Sequence, residues 1–254
     1  MMRPHCAPFT VKLVETQAEL QAAQRLRYDV FVRELGGGGD LVDHDQRLER
    51  DHFDPYFDHM ILTHTPSAQV IGVYRLLRGC RAERAGGFYS DSEYDLSLLK
   101  SSGRRLLELG RSCLHPDFRG GTAMHCLWGG LADYVATHRI ELMFGVASFH
   151  GTDTDALAAP LSMLHHRHLA PSALRVTARP EAFQRMDLLC PDTLDRRAAM
   201  RAVPSLIKAY LRLGGHVGEG AFVDHRFNTT DVCLIMDTAR LNTRQAKIYT
   251  GHAS

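Results

Sequence analysis

No two of the six cysteines, Cys6, Cys80, Cys113, Cys126, Cys190 and Cys233, stand close enough for a CxxC pair. Their scatter excludes a dithiol redox motif and the ligand spacing of a thiolate zinc site. The N-terminus has no long apolar run after its first basic residue, so no secretory leader is expected. The setting implied is a reducing cytosol with free thiols and no disulfides. Nowhere do eighteen or so uncharged apolar residues run together, which leaves peripheral contact as the only expected relation to a membrane. The net charge of +1 provides no global field to attract nucleic acid. Internal repeats, low-complexity tracts and a flexible linker are also missing. His165, His166 and His168 are close in sequence, but adjacent histidines on a helix point apart and no carboxylate shares their spacing, so no metal site is expected.

What the chain does have is core-forming capacity: 254 residues, 44% of them hydrophobic. The expectation is one domain over 1–254, with a distinct C-terminal part at 159–241 packed on it. The organising stretch is 106–138. Residues 106–114, LLELGRSCL, read as a strand with Gly110 at a bulge or a close backbone approach. His115-Pro116-Asp117 ends it. The turn Arg119-Gly120-Gly121 then leads into a helix whose stripe is Ala123, Leu127, Leu131, Tyr134 and Val135, and whose first N–H groups lack intrahelical partners. Glu108 and Arg111 are costly to bury in such a strand unless paired or used. Two readings follow: a structural ion pair at a strand edge, or an active-site carboxylate held by a guanidinium.

Along the rest of the chain, 10–14 alternates as a short strand. Thr16-Gln17-Ala18-Glu19 has the form of a capping box, opening a helix with Leu20, Ala23, Leu26, Val30 and Phe31 at helical spacing and Arg27 beside the stripe. Gly36 to Gly39 end regular structure. Residues 40–58 carry seven acids and two arginines, a long acidic loop that is either a solvated excursion or functional. Residues 59–65 and 70–77 read as antiparallel strands, the second interrupted by Arg75. Residues 79–105 read as a polar connection in which Phe88, Tyr89, Tyr94 and Leu96 fold back onto the core. The apolar run 142–148 reads as a strand covered on both faces, and 154–168 as a helix. Residues 159–215 hold nine basic residues against four acids, a basic face. It includes a helical stripe from Val203 to Leu213 ended by Gly214-Gly215. Residues 220–223 and 231–236 close the fold as a strand pair. Trp128 and Tyr134 read as core, and Cys113 as inert packing.

Three runs, Leu107-Glu108-Leu109-Gly110-Arg111-Ser112, Leu26-Arg27-Tyr28-Asp29-Val30-Phe31 and 222–232 (FVDHRFNTTDV), resemble the ornithine N-acyltransferase family, over about 11–241. That family is a branch of the GNAT fold related to acyl-homoserine-lactone synthases. The resemblance implies an α/β (α+β) GNAT-like fold, in which a mixed central sheet with two splayed parallel strands is flanked by helices and followed by a C-terminal extension. It implies amide formation between a 3-hydroxy fatty acyl group, carried on acyl carrier protein, and the α-amine of L-ornithine, with no covalent enzyme intermediate. Glu108 takes the proton-accepting role, and Arg111 holds it or orients substrate. Arg27, Phe31 and Arg75 line the pocket, an arginine being suited to an α-carboxylate. Asp45, Asp51 and Asp54 are the candidates for ornithine's side-chain ammonium, and Cys113, Leu114, Arg119, Gly120 and Gly121 for the acyl-donor arm. The turn departs from the usual coenzyme A pattern, with Thr122 and Met124 where small residues belong. That favours the carrier-protein donor, for which the basic segment 159–215 is the dock. No resident cofactor or metal is implied. The expected place is the cytoplasm, peripheral at the inner face of the membrane. The rival readings are another acyl carrier protein-dependent N-acyl amino acid or acyl-homoserine-lactone synthase and, from a different class, a non-catalytic acyl- or carrier-binding module.

Overall fold

The computed structural model describes residues 5–241. In chain order the elements are β1 His5–Cys6, β2 Phe9–Leu13, α1 Gln17–Arg27, a π-helix Tyr28–Glu34, β3 Asp58–His64, β4 Gln69–Arg78, α2 Gly79–Ala85, β5 Tyr94–Asp95, α3 Ser97–Lys100 and β6 Leu106–Leu114. They continue with α4 Ala123–Thr137, β7 Leu142–His150, α5 Ala158–His168, β8 Thr177–Ala178, β9 Phe183–Gln184, α6 Arg196–Ala202, α7 Ser205–Arg212, β10 His216–Val217, β11 Ala221–Asp224 and β12 Thr229–Asp237. Two compact units result. Of the described residues, one holds 5–86 and 109–140 and the other 87–108 and 141–241, so β6 contributes to both. The described residues from 159 lie in the second unit with 87–108 and 141–158.

In the first unit, β2, β3 and β4 form an antiparallel sheet with β1 on its edge. The N–H of His115, just past β6, donates to the carbonyl of Ile71 on β4. The Thr16–Glu19 capping box forms as the sequence predicts. It lets α1 lay Ala23 and Leu26 on Ile61, Val73 and Cys113 of the sheet. The helix does not run unchanged to Phe31. It widens at Tyr28 into a π-helical turn in which the N–H of Leu35 donates to the carbonyl of Val30. Through that change of pitch Val30 stays in the same core cluster and Phe31, partly buried, packs against it. On the other side of the sheet, α4 approaches closely through Gly130, where a Cβ would stand 2.4 Å from Val11 Cγ1. Trp128 and Tyr134 are buried as core, and the Tyr134 hydroxyl donates to Asp58 at 2.5 Å.

In the second unit, the first three residues of β6 pair in parallel with β7, Leu106 with Leu142 through Glu108 with Phe144. β7 pairs along its full nine residues with antiparallel β12. β12 carries β11 and β10, and β9 lies beyond β11. The 142–148 run is buried on both faces only in its first four residues. Beyond Gly145 burial alternates, with Ala147 and Phe149 buried and Ser148 and His150 exposed. Residues 79–105 are more structured than their polarity suggests: they hold α2, a single 3-10 turn at Tyr89–Ser92, β5 and α3, each too short to show a period. Helix α5 starts at Ala158 rather than 154, because Asp153 accepts from the N–H groups of Asp155 and Ala156 and holds a turn there. One thiol expectation fails, since Cys126 is disulfide-bonded. Cys80, Cys113, Cys190 and Cys233 are free.

Candidate active site

Three arginines on three elements of the first unit converge on one segment. Arg27 lies at the end of α1, Arg75 in β4 and Arg111 in β6, all facing the acidic stretch 40–58. Arg27 Nε donates to Glu49 Oε2 at 2.5 Å and its Nη1 to Asp54 Oδ1 at 2.9 Å. Arg75 Nη1 is shared by Asp54 Oδ1 at 2.6 Å and Asp51 Oδ1 at 2.8 Å. Arg111 Nη2 stands 3.6 Å from Asp51 Oδ2, and Arg111 Nε donates to Glu49 Oε1 at 3.1 Å. The six side chains therefore close into a ring of alternating sign: Arg27, Asp54, Arg75, Asp51, Arg111, Glu49 and back to Arg27. Each charge has two opposite neighbours, the arrangement that makes burial of so many ions tolerable.

The ring is not uniformly covered. Arg27 and Arg75 are 0% and 1% exposed at the side chain, whereas Asp51 and Arg111 stand at 17% and 15%. The longest link is thus also the open edge. Burial alone would push Asp51, Asp54 and Glu49 up, but the facing cations outweigh it, all three guanidiniums at Asp51 and Glu49 and those of Arg27 and Arg75 at Asp54, and hold the three carboxyls below their usual range. Asp54 is further fixed by Gln24 Nε2 at 2.9 Å. The carbonyl of Asp54 accepts from His59 Nε2 at 3.0 Å, and burial pushes that imidazole down, toward its neutral form. Aromatic faces complete the walls, with Phe57 4.3 Å from Arg75 and Phe31 5.9 Å from Arg111.

Arg111 carries a further mark. Its φ is +50° in the middle of a strand, a left-handed conformation that costs a side-chain-bearing residue energy and recurs at functional sites. The preceding Gly110 leaves room, since a Cβ there would have Phe57 Cε1 at 3.9 Å and Arg75 Nε at 4.0 Å.

Glu108 belongs to the second unit and is 1% exposed. Its Oε1 accepts from the N–H and the hydroxyl of Ser90 at 2.6 and 2.5 Å, and its Oε2 from the N–H of Tyr89 at 2.9 Å. These donors match a carboxylate in its acceptor-only form. Elsewhere in this unit Glu93, Asp224 and Asp231 bring carboxylate oxygens within 4.8 Å of one another. That oxygen-only set would suit a hard cation in type, and nothing further points to one.

Of the residues named from sequence, Arg27, Arg75, Arg111, Asp51, Asp54 and Phe31 come together. Asp45 does not. It is exposed at the tip of the 44–47 turn, closed by the Asp43–Leu48 bridge, which aims it outward. Glu49 takes the place expected of it, and the sequence held a partial signal: three arginines at core positions demand three acids, though not which three. The residues named for the donor arm are placed as follows. Cys113 is buried in the α1-facing core, where burial pushes its thiol up to about 12, and Leu114 is buried too. Arg119 is engaged by Glu34 through two hydrogen bonds of 2.6 and 2.7 Å and by the Leu114 carbonyl. Only the backbone at Gly120 and Gly121 is open, with no atom within 4 Å of a Cβ placed at either. Tyr89 and Ser90 were not foreseen as donors to Glu108.

A family model described as an acetyltransferase (GNAT) domain matches residues 26–129, which span every member of the ring and Glu108. The chain is 59% identical over 247 residues to an L-ornithine N(alpha)-acyltransferase of Rhodobacter capsulatus, covering 95% of each. It is 40% identical over 251 residues to an L-ornithine N(alpha)-acyltransferase of Brucella abortus, covering 96% of this chain and 89% of that one. Among solved structures, a CoA-dependent acyl-homoserine lactone synthase matches 96% of each chain with a TM-score of 0.53 at 14% identity, a likeness of fold. Identity of this degree across nearly the whole length, on a GNAT-like fold whose arginines and acids sit in one buried ring, makes the chain an acyltransferase belonging to the L-ornithine N(alpha)-acyltransferase family.

Proposed function

We propose that the protein transfers a 3-hydroxy fatty acyl group from the phosphopantetheine thioester of acyl carrier protein to the α-amine of L-ornithine, giving lyso-ornithine lipid. The amine nitrogen attacks the thioester carbonyl carbon, the C–S bond breaks, and the sulfur leaves as thiolate, taking the nitrogen's second proton to become the carrier's thiol. The amine's proton passes to Glu108, directly or through a water. Beyond the names of the relatives, the observation that carries this reading is the open edge of the ring. Ornithine brings one carboxylate and two ammonium groups, and the Asp51–Arg111 link offers one partner of each sign at the place where the ring is longest and least covered. The α-carboxylate takes the Arg111 fork and the side-chain ammonium takes Asp51, so each of these two exchanges one ion pair for another. Arg27, Arg75, Glu49 and Asp54 hold these two in place from behind, and Phe31 walls the aliphatic stem.

The donor reading rests on the turn after β6, where Arg119 is neutralised by Glu34 and is poorly placed to take the diphosphate of coenzyme A. It also rests on α6, where Arg196, Arg197 and Arg201 are exposed and face solvent as a basic patch suited to an acidic carrier. Among the described residues no helix is long and apolar enough to cross a membrane. On this reading the one-chain lipid product is released to the inner face of the cytoplasmic membrane from a peripherally bound enzyme. Purified protein incubated with acyl carrier thioesters, the matching acyl-CoA and a panel of amino acids, followed by product mass measurement, tests all of this. The expected product is N-acyl ornithine from the carrier thioester. A different preferred acceptor, or equal use of acyl-CoA, would overturn the acceptor or the donor assignment respectively.

A further inference from the structure

The carboxylate assigned above as proton acceptor is not merely buried; it is seated. The turn beneath it is fixed at every residue. Gly87 has φ +139°, and a Cβ there would come within 2.8 Å of Asp91 Oδ2, so only glycine fits. Asp91 Oδ2 accepts from the N–H of Phe88 at 2.8 Å, and its Oδ1 accepts from Lys100 Nζ at 2.5 Å. The Asp91 carbonyl accepts from Arg179 Nε at 2.5 Å, and the Ser92 hydroxyl donates to the Tyr89 carbonyl at 2.8 Å. Phe88 is buried with its ring 4.9 Å from Phe144 and edge-on to it, and Phe144 is the residue that Glu108 faces across the β6–β7 pairing. This much constraint on six residues delivers three donors to one carboxylate. Two belong to the backbone. The third is the side chain of Ser90, which is 0% exposed.

We propose that Ser90 is a positioning residue for Glu108, its hydroxyl fixing which lone pairs of the carboxylate remain for the amine's proton and at what pH the carboxylate is ready to take it. This rests on the role given to Glu108 above. A donor to the charged form favours that form, so removal of the hydroxyl raises the pH at which Glu108 becomes a base. Cys233 of β12 faces Glu108, and burial together with the Glu108 and Glu93 carboxylates pushes that thiol up, so it stays protonated. On its own strand Arg111 follows three residues on.

The test is the pH profile of kcat/KM for ornithine in the wild type, Ser90→Ala, Ser90→Cys and Glu108→Gln, with melting temperatures for each. Ser90→Ala removes the donor, and Ser90→Cys keeps a side chain of similar size that donates poorly. Either variant that folds suffices. The expected result is an acid limb moved up by about one to two pH units, the worth of one hydrogen bond to a charged group. KM for the carrier thioester should hold, and Glu108→Gln should lose the limb altogether. An acid limb at the wild-type position in both serine variants overturns the inference, whatever happens to kcat or to stability. Wild-type rates in Glu108→Gln overturn the catalytic assignment itself, an outcome that the serine variants alone cannot produce.

Discussion

Arg75→Met is the sharpest probe of the ring. The methionine keeps most of the volume and the apolar stem against Phe57, and removes one charge. Asp54 is left with Arg27 at 2.9 Å, and Asp51 with the long 3.6 Å link to Arg111. Removing one partner of a buried ion pair costs about 3–5 kcal/mol, because the partner left behind stays desolvated without its counter-charge. For a chain of this size that lowers the melting temperature by roughly 6–20 °C, at about 2–4 °C per kcal/mol. The pH dependence carries more information than the size. In the wild type Asp51, Asp54 and Glu49 all sit below their usual range, so their contribution is complete above about pH 4 and is lost as pH falls through the folded values. In the variant, burial acts on Asp51 and Asp54 with one guanidinium fewer, and their carboxyls rise above the unfolded values. The folded variant then binds protons where its unfolded chain does not, so its stability falls as pH rises. Thermal melts from pH 5 to 8 should show the gap to wild type narrowing on acidification. Arg75→Met combined with Asp54→Asn should recover part of the loss at pH 8, since no unbalanced carboxylate remains at that position. A melting temperature within about 2 °C of wild type, or a gap that does not change with pH, would refute the ring as the electrostatic unit described here.

Other expectations test other parts. Replacing His59 with Gln should flatten stability between about pH 6.5 and 5: burial pushes the imidazole down, so the unfolded chain gains a proton in that window that the folded one refuses, and wild-type stability drops as pH falls. Stability curves of equal slope would show that the imidazole contributes nothing. At Arg111 the backbone strain can be read by comparing Arg111→Gly with Arg111→Ala. Both lose the two ion pairs, but only glycine relaxes at φ +50°, so the glycine variant should be more stable by about 1 kcal/mol, the reverse of the usual order in a strand. Denaturant midpoints that favour alanine would remove the strain. Neutralising Arg196, Arg197 and Arg201 together should weaken carrier-protein binding most at low salt and little at high salt, and an isotherm unchanged at low salt would return α6 to a plain solvated face.

The long elements were legible because their patterns are long. The β6 strand, the α4 stripe and the capping box of α1 follow directly from spacing and hydrogen-bond chemistry. The ring was legible in part: arginines embedded in apolar elements announced that acids must meet them, and the acidic loop was the only local supply. Which acids turn inward is set by the turn at 44–47 and by the burial of Leu48, and neither has a periodic signature. Asp45 and Glu49 exchanged roles for that reason. The cradle of Glu108 was hidden more deeply. Its donors are two backbone N–H groups and one serine within a single 3-10 turn, and backbone donors leave no trace in residue type. Gly87 next to an aromatic pair was the one visible mark.

The ring's composition is a poor choice if stability were its only purpose. Six desolvated ions gain from one another little more than they lose to water, and apolar side chains of the same volume would fill the space at equal or lower cost. A closed alternating ring does something that an apolar plug does not. Every charge already has two opposite neighbours, so one link can open without stranding a charge, provided that the newcomer supplies both signs. A simple anion or a simple cation does not meet that condition, because either would leave one side of the opened Asp51–Arg111 link unbalanced. An amino acid with a carboxylate at one end and an ammonium at the other does meet it, and the separation between those groups becomes the quantity being measured. On the proposed binding mode the ring would select by charge pairing at a fixed spacing, and shortening the acceptor's side chain by one methylene should raise KM more than it lowers kcat.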